Sequence, residues 1–456
     1  MTTVPATSLP LSSVVAPLSP LARGACPALS APMPTGDGLL TRVALAAPIG
    51  PGDLSSLCDL SRRHGNGILD VTARGNLQIR GLDHQSAVDL ERAVRDLPLP
   101  LREGLAVEWS PLAGEDGSEI ADPRPLGEAI IARARLLSGQ LAPKLSVVIE
   151  GGGAIRLDHL LADIRLTADR QHGTLFWGLT LGGTAGSGRR LGLVADDEAA
   201  DLVEDLLQHL ARLGPKTRGR DLDPAHLPQL DRLRPASETA SAVPAPTAPF
   251  GLFALSEGLS ALRIALPFGQ VEAARLAALS EVAAKAGILW LKPAPDHALV
   301  FAGPQQACAD VLAHAEKSGF ISGGGDPLAE ISACPGQPSC RSGRYATHET
   351  GRFAASNAAA SLDGSIRLHL SGCAKGCAHP GVATLTFVGS DAGTHLVFEG
   401  KTSDTPLKTL VPHTETAALA MLDRLVRLKR QPTETSRDCL ARLGPRAIAA
   451  ALSEGR

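Results

Sequence analysis

Four of the eight cysteines fall in two short stretches near the C-terminal end. The first runs Ser332-Ala333-Cys334-Pro335-Gly336-Gln337-Pro338-Ser339-Cys340. The second runs Ser371-Gly372-Cys373-Ala374-Lys375-Gly376-Cys377-Ala378-His379-Pro380. Together they read C-x5-C followed by C-x3-C. Thiolates gathered in loops of this kind are ligands for an iron–sulfur cluster or another soft metal. Gly336, Gly372 and Gly376 let the backbone fold back beside bulky sulfur atoms. Zinc-binding pairs stand two to four residues apart, so the wider gap between Cys334 and Cys340 favours a cluster. Buried structural thiols are the remaining reading. Cys26, Cys58, Cys308 and Cys439 are isolated and read as structural.

A second constellation lies toward the N-terminal end, in Asp70-Val71-Thr72-Ala73-Arg74-Gly75-Asn76-Leu77-Gln78-Ile79-Arg80-Gly81. As one continuous strand it sets Arg74, Asn76, Gln78 and Arg80 on one face, opposite Val71, Leu77 and Ile79. Two guanidiniums and two amides in a row suit a ligand with several carboxylates, which arginine grips bidentately. A solvated outer face of an antiparallel sheet is the competing reading.

The elements that must position these residues occur twice. Gly38-Leu39 recurs 220 residues on as Gly258-Leu259, and Gly67-Ile68-Leu69 recurs as Gly287-Ile288-Leu289. Leu145 to Gly151 reads like Ile366 to Gly372, at an offset of 221. Each copy predicts a strand, an amphipathic helix and a second strand, with the helix over about Asp53 to His64 and about Val271 to Ala286. The expected order is a disordered or loosely docked tail (1–35), a half-domain (36–105), a domain without a metal loop (125–234), a Pro- and Ala-rich linker (235–249), a second half-domain (250–320) and a cysteine-bearing domain (325–456). Where the second copy has Cys373 and Cys377, the first has Gly152 and Arg156. The counterpart of the arginine strand, Trp290 to Val300, has no arginine. Both asymmetries point to one centre between the halves. Glu415 to Arg430 and Arg437 to Leu452 read as amphipathic helices that cover a sheet.

A chain of 456 residues exceeds what a single core supports. A net charge of −3 gives no general pull toward nucleic acid, and an aromatic content of 3% disfavours a base-stacking platform. No apolar run is long enough to span a membrane. The first residues lack the pattern of a secretory signal, which places the thiols in a reducing cytoplasm. Gly182-Gly183-Thr184-Ala185-Gly186-Ser187-Gly188 fits no nucleotide fingerprint and reads as a loop between strands.

The cysteine pattern, the two ferredoxin-like half-domains and Thr72-Ala73-Arg74 resemble the sulfite and nitrite reductases that carry sirohaem and a 4Fe–4S cluster. The resemblance covers nearly the whole chain after residue 36. Arg23 to Pro27, Pro32 to Gly38 and Ser371 to Pro380 look like the branch of that family that acts on precorrin-3A in aerobic cobalamin biosynthesis. It implies an α+β fold: a duplicated sulfite reductase-like arrangement of two ferredoxin-like half-domains and two α+β domains of the 4Fe–4S/tetrapyrrole type. It implies Cys334, Cys340, Cys373 and Cys377 as cluster ligands, and Arg42, Arg74 and Arg80 as contacts to an anionic tetrapyrrole; Asn76 and Gln78 join them by the strand alternation above, and Lys375 is either a carboxylate contact or tuner of the cluster's potential, or an exposed lysine. It also implies an oxidoreductase that uses molecular oxygen, hydroxylates its substrate at C20 and closes a γ-lactone. A mononuclear non-haem iron is expected besides the cluster, with His369 and His379 as weak candidates. NADH is the nominal reductant, through a separate donor protein because no NADH motif is legible. Where the reductases carry an Arg-Asn pair, this chain has Val107-Glu108-Trp109-Ser110. A sirohaem-dependent sulfite or nitrite reductase and a non-catalytic electron-transfer or tetrapyrrole-binding protein are the alternatives.

Overall fold

The computed structural model describes residues 27–235, 250–255, 258–379 and 381–453. Most of the expected tail, with Cys26, and nearly all of the linker lie outside the described residues. The first half-domain comprises β1 (Met33–Thr35), β2 (Gly38–Val43), α1 (Pro51–His64), β3 (Ile68–Val71), β4 (Leu77–Leu82) and α2 (His84–Arg95). Pro51 starts α1, and Asp53 accepts the Gly50 N–H at 2.9 Å. Asp83 caps α2 by accepting from the Ser86 N–H at 2.7 Å. Residues 27–35, placed with the tail by composition, instead supply β1, which pairs with β2. Thr41 Oγ1 donates to the carbonyls of Ala28 and Leu29 and pins the segment before it.

The next domain holds β5 (Ala106–Glu108), α3 (Arg124–Ala134), β6 (Ser146–Glu150), β7 (Ile164–Gln171), β8 (Thr174–Leu181), β9 (Arg189–Ala195) and α4 (Ala199–Leu213). Leu202, Val203, Leu206, Leu207 and Leu210 recur at helical spacing on α4 and are buried against the sheet.

The second copy repeats the plan. It comprises β10 (Gly251–Ala254), β11 (Leu259–Ala265), β12 (Gln270–Glu272), α5 (Ala273–Ala286), β13 (Trp290–Ala294), β14 (Ala298–Pro304) and α6 (Gln305–Lys317). There follow β15 (Ile331–Ala333), α7 (Thr347–Asn357), β16 (Leu368–Ser371), β17 (Ala383–Ser390), β18 (Gly393–Gly400), β19 (Lys408–Leu410), α8 (Glu415–Lys429) and α9 (Ser436–Ala451). The two five-stranded sheets run in matching order, β5-β6-β7-β8-β9 and β15-β16-β17-β18-β19. In each, the first three strands are parallel and the last two antiparallel.

The halves are joined by exchanged backbone. β12 adds to the edge of the first sheet, with Val271 opposite Leu69. In return Ile49 exchanges two hydrogen bonds with Leu291 of β13, at 2.9 and 2.8 Å. α1 packs on α5 beneath the two sheets, and Leu54 and Leu57 share one core with Leu276 and Leu279. The helix expected from Val271 starts at Ala273 because 270–272 are drawn into β12.

The arginine strand is not continuous. Thr72–Asn76 form a turn between β3 and β4, closed by Thr72 N–H to Asn76 O at 2.9 Å and Gly75 N–H to Thr72 O at 2.9 Å. Gly75 has φ +72°, and a Cβ there would meet Ala294 Cα at 2.8 Å, so glycine permits both the turn and its approach to the second copy. Arg74 and Asn76 therefore do not alternate with Gln78 and Arg80.

Candidate active site

The two cysteine loops meet at the ends of β15 and β16. Cys334 follows β15, and its N–H donates to Leu370 O at 3.1 Å. The Gly372 N–H donates to Cys334 Sγ at 3.1 Å. Arg344 N–H to Gly372 O, at 2.9 Å, ties the loops again. Cys340 closes a turn onto Gly336 O at 2.7 Å. Lys375 Nζ donates to Ser342 Oγ at 2.9 Å, so this lysine bridges the two loops.

All four thiols are free, and none is fully buried. Desolvation pushes up the Cys334 and Cys377 thiols. The charges of Cys373 and Cys340 add to this at Cys334, and those of Cys334, Cys373 and Cys340 at Cys377. Among the described residues no three His, Cys, Asp or Glu side chains are grouped closely enough to hold a single metal ion. A Cβ on Gly372 would stand 3.1 Å from Gly343 Cα and 3.5 Å from Cys334 Sγ. A Cβ on Gly36, in the β1–β2 turn, would stand 2.7 Å from Cys340 Cα and 2.9 Å from its Sγ. Four soft donors in a glycine-lined cradle fit a multinuclear iron–sulfur group.

Arg80 is 7% exposed and held by Asp37 (2.8 and 2.9 Å) and Asp70 (2.9 Å). It is engaged inside the fold rather than offered to a ligand. By fixing Asp37 it steadies the turn whose Gly36 abuts Cys340. Gln78 sits between Arg42 and Asp70 in the ladder. Asn76 is buried and accepts from Arg102 Nη2 at 2.9 Å.

Arg74 reaches from the first half-domain to the domain that follows it. Its Nε and Nη2 pair side-on with the two carboxylate oxygens of Glu108 of β5, and its Nη1 donates to Leu161 O at 2.7 Å. Arg42 comes near from β2, and its Nε is buried with no hydrogen-bond partner. The sequence reading missed Arg102 and Lys292. Arg102 is in an irregular loop, and a search of β13 for arginine alone passes over its lysine. Lys292 lies 5.8 Å from the centre of the Trp109 ring.

His369, on β16, is fully buried with both ring nitrogens unpartnered, and its ring stands edge-on to His379 at 5.7 Å. His348, on α7, stacks on Phe268 at 4.8 Å, and its Nε2 is likewise unpartnered. Burial pushes both His369 and His348 down to about 4. Cys58, Cys308 and Cys439 are buried away from the four thiols, in agreement with a structural role. No helix among the described residues is long and apolar enough to cross a membrane.

A family model described as the nitrite/sulfite reductase ferredoxin-like half domain matches residues 32–97. Over 459 residues the chain is 39% identical to a precorrin-3B synthase from a Sinorhizobium species, covering 98% of each chain. A ferredoxin–nitrite reductase of Synechococcus elongatus is 28% identical over 148 residues, 30% of this chain and 29% of that one. The solved structure of Mycobacterium tuberculosis NirA aligns with a TM-score of 0.69 at 20% identity, over 90% of this chain and 84% of that one. That likeness is one of fold, and the architecture is the duplicated α+β arrangement expected from the sequence.

Proposed function

The chain belongs to the precorrin-3B synthase family, and we propose that it converts precorrin-3A into precorrin-3B. One oxygen atom of O2 enters at C20, and the ring A acetate closes a γ-lactone onto C1. The other oxygen leaves as water, with two electrons and two protons supplied. NADH is the proposed electron source, through a separate donor protein.

The observation that carries this reading is 39% identity across 98% of both chains. The Synechococcus nitrite reductase match reaches only 30% of this chain. Glu108 and Trp109, standing where the reductases have Arg-Asn, further favour a metal-free tetrapyrrole as ligand.

Cys334, Cys340, Cys373 and Cys377 are the proposed holders of a 4Fe–4S cluster, which would supply electrons one at a time. Lys375 keeps the two loops together through Ser342. Arg42 and Arg74 are proposed to bind acetate and propionate arms of the substrate, with Asn76 and Gln78 supporting them. Arg80 acts indirectly, through Asp37 and the turn against Cys340.

The test is an anaerobic preparation supplied with precorrin-3A, a chemical reductant and 18O2. One 18O atom per product molecule is expected. Stoichiometric sirohaem in the visible spectrum of the purified protein, or product free of 18O, would overturn the assignment.

A further inference from the structure

Arg74 and Arg102 flank Glu108, Lys292 of the second copy lies beside Trp109 within range of Arg102 and Glu108, and Arg42 is close enough to act on Arg102. Arg42 comes from β2, Arg74 from the β3–β4 turn, Arg102 from the loop before β5 and Lys292 from β13. Glu108 takes the Nε and Nη2 donors of Arg74 and lies 3.8 Å from Arg102 Nη1. Charges left in excess away from water are costly unless an anion joins them. Arg42 Nε points the same way, as a buried donor without a partner.

We propose that Arg102 and Lys292 complete a carboxylate-binding seam with Arg42 and Arg74, and that Lys292 must carry its proton for a tetrapyrrole carboxylate to bind tightly. This deepens the assignment above and rests on it for the identity of the natural ligand.

Lys292 is suited to such a part. It faces the ring of Trp109, with Arg102 and Glu108 as the charged groups in range, and Arg102 in turn feels Arg42 and Arg74. Burial, then repulsion from Arg102, lowers its ammonium to about 8, and Glu108 only partly offsets this. Burial also lowers Arg102, with Arg42 and Arg74 adding to the effect. A carboxylate entering the seam reverses the balance, because an adjacent anion favours the charged form of an amine. Above pH 8 binding then takes up a proton. Arginine at this position stays charged throughout and needs no such uptake.

The experiment is an anaerobic fluorescence titration with sirohydrochlorin, a metal-free tetrapyrrole bearing acetate and propionate arms. It uses the full chain at pH 7 and pH 9.5. Wild-type affinity should fall by about tenfold or more between the two, since one charge-assisted hydrogen bond is worth about that much. Lys292→Met should bind weakly at both values, and Lys292→Arg tightly at both. Arg102→Gln should weaken binding while keeping the pH dependence. Wild-type affinity in Lys292→Met at pH 7, or an unchanged pH profile in Lys292→Arg, overturns the proposal. Failure of precorrin-3A conversion with this binding pattern intact would count against the reaction and support the seam.

Discussion

A side chain's type announces what it can do, and its neighbours decide whether it is free to do it. Cys334 and Cys340 belong to one loop and Cys373 and Cys377 to another, yet hydrogen bonds tie the two loops together. Replacing Cys340 with Ser should release the cluster's iron and acid-labile sulfide. Retention of both at wild-type stoichiometry would remove Cys340 from the ligand set. His348 shows the opposite economy, an ionisable group kept neutral. Its folded value is near 4 because of burial, with the Arg352 charge adding to it, while the unfolded chain titrates near 6.5. Between those limits the unfolded chain binds the extra proton, so this contribution to stability is lost as pH falls from 6.5 toward 4. His348→Phe, which preserves the stack on Phe268, should reduce the loss of stability between pH 7 and pH 5 by about 1–2 kcal/mol, read from urea midpoints. An unchanged difference would mean that His348 is solvated in the folded state. The ligand-type cysteines were legible because spacing alone carries the signal. The engagement of Arg80 was not legible, because Asp37 and Asp70 each stand many residues away or across a hairpin, and no local pattern reveals that they hold it.

At the level of elements, turns carried more than strands. The alternation across Asp70 to Gly81 is real in the sequence, but Gly75 breaks the strand and swings Arg74 toward Glu108. Strand periodicity describes which face a residue takes only while the backbone stays extended. The β1–β2 turn likewise does more than link two strands, since Gly36 lies against Cys340. Gly36→Ala would place a methyl group 2.7 Å from Cys340 Cα, forcing the turn or the cysteine loop to shift. A cost of about 1–3 kcal/mol in stability is expected, as for other overpacked sites, together with poorer retention of labile sulfide. Unaltered sulfide and thermal midpoint would show that the turn can yield freely. Helix α8 fell close to its expected bounds, because leucine and alanine at helical spacing leave little alternative, whereas α9 keeps its bounds but is broken at Gly444 (φ +74°), just before Pro445.

For the whole molecule, the duplication was the most legible property. An offset near 220 in a few glycine-led segments foretold two matching sheets in matching order. The way the copies join was hidden, since the exchange of β12 and Ile49 is made by main-chain groups that leave no mark on composition. It bears on how the protein tolerates cutting. A protease site placed within 236–249 should give two fragments that remain together on gel filtration after cleavage, because the core under α1 and α5 is common to both. Separation of the fragments in native buffer would show the shared core to be too weak to hold them.

The reciprocal pairing of Ile49 with Leu291 and of β12 with β3 asks nothing of the side chains that project from those strands. A single module could close upon a second copy of itself through the same bonds, as an isologous pair. Once both modules lie on one polypeptide, the bonds that preserve their near-twofold relation no longer oblige them to bear equivalent chemistry. Sulfur can be concentrated in one and guanidinium in the other, and two identical half-sites give way to a single asymmetric one.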